Sequence, residues 1–186
     1  MIAFKGFTKK LTGHGGYRFE AGKTYEEPRS KAARGGFHCT ENPFECLFYF
    51  PLGQDNRYFM VEAAGDIDED KDERIACTKM TLLKELSLKE LAGYGMMYMV
   101  QHPLRESWEQ SRKCLSVKRG EAVAEEEGHI AIARGRSPKV KGKMGSILGL
   151  IVEPEPGNIT GAKLFVCEKE DVWYTLHGSR ELEELS

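Results

Sequence analysis

Long hydrophobic runs are missing from this 186-residue chain. The longest, residues 96–100 and 147–152, fall far short of the roughly 20 apolar residues that cross a bilayer, so no membrane-spanning helix is expected. The N-terminus reaches Lys9-Lys10 without the apolar core of a signal peptide, which argues against export. Paired cysteine spacings are missing too. Cysteines at 39, 46, 77, 114 and 167 form an odd, irregular set, which argues against a secreted disulfide framework and for reduced thiols in a cytoplasm. His14, His38, Cys39 and Cys46 are of metal-binding type, but no C-x-x-C pair stands among them, so neither a metal nor another cofactor is expected. Neither sign of charge dominates: 27 lysines and arginines face 29 acids, which excludes a molecule-wide polycation built for nucleic acid. What is present, 40% hydrophobic and 30% charged residues, is the balance of a globular protein with a packed core.

Along the chain, residues 1–50 read as short strands broken by glycine turns, around 2–7, 17–20 and 37–39. Asn42-Pro43-Phe44-Glu45 opens a helix, because asparagine accepts first-turn amides, proline tolerates the first position and glutamate suits the positive helix end. Pro51 stops it. Residues 58–64 and 74–83 read as a hairpin joined by Gly65 and an acidic loop. Ser87-Leu88-Lys89-Glu90 has capping-box spacing and predicts a second helix to about Gln101, ended by His102-Pro103. A shorter helix is expected over 104–115, then a glutamate-rich linker over 120–128. Four β-like runs follow, at 129–133, 146–152, 163–167 and 173–176. The expected fold is α/β of the α+β type: an N-terminal lobe over 1–103 with a mixed sheet and two helices, a helical connector over 104–128, and a β-rich C-terminal lobe over 129–186.

Two separated stretches resemble a family of phage and prophage proteins of unknown function. The N-terminal resemblance rests on Phe4-Lys5-Gly6-Phe7, Tyr17-Arg18-Phe19-Glu20, Gly22-Lys23-Thr24-Tyr25, Gly36-Phe37-His38-Cys39 and Glu41-Asn42-Pro43. The C-terminal part rests on Lys141-Gly142-Lys143-Met144-Gly145-Ser146 and Trp173-Tyr174-Thr175-Leu176. Similar members often carry glycine- and alanine-rich repeats between the two parts, in the manner of a β-solenoid. Here only Gly128-His129-Ile130-Ala131-Ile132-Ala133-Arg134-Gly135 has that character. The resemblance carries no catalytic assignment; it implies a phage-type accessory protein acting in the cytoplasm of a bacterial host.

Two charged stretches are the leading binding candidates. Arg134, Arg136, Lys139, Lys141 and Lys143 place five positive charges within ten residues with no acid among them, a pattern that holds phosphates or an acidic protein face unless it is simply a solvated turn. No aromatic interrupts the run, which weighs against stacking on nucleic acid. Asp66, Asp68, Asp70 and Asp72 lie in the acidic loop. Its sixth position is Lys71 and its twelfth Cys77, so it fails the calcium-loop pattern and reads as a hairpin tip or an acidic partner for a basic groove.

Tyr17, Arg18, His38 and Glu41 are the candidate lining of a cleft, with His38, Arg18 and Glu41 the tentative catalytic set. His38 and Cys39 cannot pair as base and nucleophile on an extended strand, because adjacent side chains point to opposite faces. The leading expectation is a non-enzymatic binding module that docks on a host protein or ribonucleoprotein, such as a defence nuclease of the CRISPR-effector kind. Two alternatives stay open. One is an enzyme acting on nucleic acid or transferring ADP-ribose, by analogy with ADP-ribosyltransferase-like folds; the other is a structural phage component.

Overall fold

A computed structural model describes the chain except residues 14–15, 29–34, 70–73, 106–107, 178–180 and 186. It is β-rich with two short helices and divides into two compact units, Met1–Ser87 and Leu88–Ser186. The second expected helix thus groups with the C-terminal unit. No helix among the described residues is long and apolar enough to cross a membrane.

The N-terminal unit is built on a long hairpin, β4 (Arg57–Glu69) and β5 (Arg74–Leu86), as the sequence predicts. The strand β4 runs on through Gly65 to Glu69, so Asp66 and Asp68 belong to the ladder and not to a loop. The other edge of β5 pairs β3 (Phe37–Thr40) and then β2 (Thr24–Glu26), while β1 (Ile2–Phe7) pairs both β3 and β4. The circuit β1–β4–β5–β3–β1 closes, and every pairing in it is antiparallel. This corrects the expected mixed sheet: among the described residues of this unit every strand pairing is antiparallel. Alternation along β1 sends Ala3 and Phe7 into the interior, where they meet Phe19, Phe37, Cys39, Phe59, Val61 and Cys77.

A 3-10 turn (Pro43–Glu45) runs into α1 (Cys46–Tyr49) against β1. The Asn42 side chain accepts from Phe44 N at 3.1 Å, as its position predicts. At the far end Tyr58 Oη donates to the Phe50 carbonyl at 2.6 Å. Phe50 seats on Gly6, where an added Cβ would stand 2.7 Å from its ring, so only glycine lets this segment approach β1.

In the C-terminal unit, α2 (Leu88–Gln101) packs on β9 (Ile147–Val152) and β10 (Gly161–Val166). Among the described residues of 104–115 the expected helix is absent. Its residues form β6 (Gln110–Arg112), which pairs antiparallel with β7 (Leu115–Ala124), and the expected glutamate-rich linker is largely β7 itself. The strands β7, β8 (Ile130–Gly142) and β9 lie parallel, Leu115 beside Ile130 and Ile130 beside Ile147. Parallel neighbours normally need a long crossover, yet only residues 125–129 separate β7 from β8. The 10 residues of β7, if straight, would span about 30 Å, and residues 125–129 reach back only about 20 Å. The strand must therefore turn a corner, and it does so at Gly120 (φ 79°), where the register shifts between Arg119 and Glu121. Gly135 of β8 stands beside it. The chain thus winds as a short coil with Ala122, Ala131, Ala133, Leu148 and Leu150 in one core. On the other edge of β8 near Val140 lies β11 (Trp173–His177), followed by β12 (Glu181–Leu185).

These close approaches are measurable. Gly6→Ala is expected to cost about 1–3 kcal/mol by forcing Phe50 off β1, and Gly120→Ala about 1–2 kcal/mol through its left-handed backbone. Urea unfolding followed by circular dichroism reads both, and an unchanged midpoint for Gly6→Ala would contradict the packing described.

Candidate functional site

The strands β1 and β3 share a single register pair, Phe4 with Thr40. Where they part, a cleft of about 1020 Å³ opens, lined by residues 4–6 of β1, 35–40 around β3, 45–50 of α1 and by Tyr17, Glu27 and Arg74. The seam is crossed by Lys5, whose Nζ donates to the His38 carbonyl. Lys5 shares the inward face of β1 with Ala3 and Phe7, and its Nζ lies 5.5 Å from the Phe7 ring centroid. Tyr17 (44% exposed), Phe48 (64%) and Tyr49 (45%) are the exposed phenylalanine, tyrosine and tryptophan side chains among the described residues, and all three line this cleft. Tyr17 packs against Phe19 and Phe37 with centroids 4.8 and 5.8 Å away, and Phe48 meets Tyr49 at 5.0 Å.

Burial sets the electrostatics. It pulls the Lys5 ammonium below its ordinary range, because burial removes water from the charged form; the thiols of Cys39, Cys46 and Cys77 oppose that shift without cancelling it. It pushes the Cys46 thiol up to about 12. Cys39 and Cys77 are free thiols that interact with one another, which pushes the Cys39 thiol up and pulls the Cys77 thiol down. Cys46 packs as a small core residue on α1, as its neighbours predict.

The family profile described as "Domain of unknown function (DUF7666)" matches residues 1–94, which includes the whole cleft. The chain belongs to this family. No curated protein and no solved structure matches it. The C-terminal residues behind the expected resemblance, 141–146 and 173–176, lie beyond the DUF7666 match.

Within the DUF7666 region the structure brings Tyr17 and His38 together at the cleft, while Arg18 and Glu41 are exposed and outside its lining. Arg74, Glu27, Glu45 and Lys5 occupy the charged positions instead. Lys5 could have been found from sequence, since Ala3-x-Lys5-x-Phe7 sets a lysine on the apolar face of a strand. Asp66 is exposed and Asp68 half-buried on β4, whereas Asp70, Asp72 and His14 lie outside the described residues. Among the described residues, no group of three or more His, Cys, Asp or Glu is placed to hold a metal ion.

Beyond the DUF7666 match, the basic stretch does not make an open surface. Arg134 is 0% exposed and Glu153 5%, and they are joined at 2.6 and 2.8 Å. Arg134 Nη2 also donates to the Pro103 carbonyl at 2.6 Å. Nη1 has no hydrogen-bond acceptor, and the guanidinium carbon stands 4.5 Å from the Trp108 ring centroid. Lys139 pairs with Glu121 at 3.9 Å, and Lys143 lies between Glu170 and Asp171 at 3.4 and 3.5 Å. Lys141 covers Trp173 at 4.9 Å, while Arg136 is exposed. Folding thus spends Arg134 inside the protein and sets Lys139 and Lys143 beside local acids, while Arg136 stays exposed.

The Arg134 hydrogen bonds hold the Glu153 carboxyl below its ordinary range. Its folded pKa is thus lower than its unfolded one, so its stabilisation is complete above the unfolded pKa and is lost as pH falls through the folded one. Glu153→Gln is expected to destabilise by about 3–5 kcal/mol at neutral pH by stranding a buried charge. The difference from wild type should narrow in acid, read from urea midpoints at neutral and acid pH; a difference that widens would contradict the pairing.

Proposed function

We propose that the N-terminal unit is a binding module that holds a planar, ring-bearing anion of the nucleotide class in the cleft between β1 and β3. The observation that carries this reading is the gathering of Tyr17, Phe48 and Tyr49 around one cleft. Exposed rings cost solvation unless a partner covers them, and a flat heterocycle stacks on them whatever its hydrogen-bonding edge. Lys5 and Arg74 line the same cleft beside Glu27 and Glu45, and the two cations offer contacts to a negatively charged group. Docking on a host nuclease through the basic stretch draws less support, because Arg134 is buried and Lys139 and Lys143 already face acids.

Calorimetric titration with a mononucleotide, ADP-ribose and a short single-stranded RNA tests this. Tyr17→Ala and Phe48→Ala are each expected to weaken binding about 5- to 150-fold, from about 1–3 kcal/mol per stacked ring. Tyr17→Phe should keep most of the affinity and Arg136→Glu all of it. Binding that survives both alanine variants but fails with Arg136→Glu would return the function to the basic stretch, and no binding of any of the three ligands would overturn the proposal.

A further inference from the structure

Three exposed lysines of the N-terminal unit stand beside carboxylates. Lys9 pairs with Asp55 at 2.8 Å, Lys23 with Glu20 at 2.6 Å and Lys79 with Glu26 at 2.9 Å. Lys5 is the contrast. It is half-buried on the inward face of β1, opposite Phe59 of β4, and its polar contact is the neutral carbonyl of His38. The thiols of Cys39, Cys77 and Cys46 face it from β3, β5 and α1. The other titratable groups lining the cleft are His38, Glu45, Tyr17, Tyr49, Glu27 and Arg74. An ammonium held out of water with no carboxylate of the described residues in ion-pair range carries a cost that structure alone does not require: methionine or leucine would fill this place in a core without it.

We propose that Lys5 is a covalent capture residue, whose Nζ adds to the carbonyl carbon of an aldehyde on the ligand in the cleft and holds it as an imine. This rests on the cleft being the ligand site, and it adds the chemical class of the ligand: a ring-bearing anion that also carries an aldehyde, such as an opened sugar.

The step balances without an oxidant. The unprotonated nitrogen gives its lone pair to the carbonyl carbon, the carbonyl π pair moves to oxygen, and a proton passes from nitrogen to that oxygen. The oxygen then leaves as water with the second nitrogen proton, so one amine and one aldehyde give one imine and one water. The step needs the unprotonated amine, which burial makes accessible at lower pH than for the exposed lysines. Lys9 is shifted the opposite way by Asp55 and serves as an internal standard on the same chain.

Limiting pyridoxal phosphate, a planar aromatic aldehyde with an anionic group, is added to the full chain at neutral pH. Borohydride fixes the adducts and peptide mass spectrometry locates them. Lys5 is expected to be labelled faster than Lys9, because burial lowers the pKa of the one while the Asp55 pairing raises that of the other. Labelling of Lys5 no faster than Lys9 overturns the proposal. Excess mononucleotide should suppress the Lys5 adduct and spare Lys9, and equal suppression of both overturns it too. Lys5→Arg removes the adduct at this position while retaining the charge for nucleotide binding. A protein that binds nucleotide without favouring Lys5 therefore sinks the imine alone, whereas a favoured Lys5 adduct with no nucleotide binding sinks the nucleotide class.

Discussion

A strand that hydrogen-bonds on both edges is the constraint on which the N-terminal unit depends. The strand β5 gives one edge to β4 and divides the other between β3 and β2, so β1 can close the circuit only by reaching both β4 and β3. It reaches β4 along its whole length and β3 at one register pair. That shortfall is what opens the cleft. Backbone groups freed where the strands diverge need partners, and Lys5 supplies one by donating across the gap to the His38 carbonyl. The opening and the lysine that bridges it thus have one cause in the pairing of three strands.

The C-terminal unit solves a related problem with β8, which pairs β7, β9 and β11. Its first half is buried on both faces, so the one charge placed there, Arg134, must be matched inside the protein. Glu153 follows β9 directly and meets it bidentately, with Pro103 and Trp108 completing the shell. The ion pair fixes where the chain leaves β9 relative to β8, because only one placement of residue 153 satisfies the guanidinium.

Local signals were legible in sequence and pairings were not. Asn42-Pro43, the hairpin at 57–86 and the helix from Leu88 each announce themselves through short-range chemistry, and each is present. The stretch 104–115, expected as a short helix, instead supplies β6, because β7 takes a partner on its outer edge. The basic run read as a binding surface for the same reason: nothing near Arg134 in sequence discloses a carboxylate nineteen places on. At the cleft, His38 and Tyr17 could be named from the residues around them, whereas Arg18 and Glu41 were chosen by sequence proximity, which a closed sheet does not respect.

The coil of β7, β8 and β9 ends on antiparallel strands at both sides, β6 at one and β10 at the other. Polarity is thereby reversed at each face. Copies of this unit cannot be stacked end to end with the parallel register carried through, and a lengthened descendant would have to gain its extra turns in the interior of the chain, between β7 and β9, with the two reversed strands kept as covers.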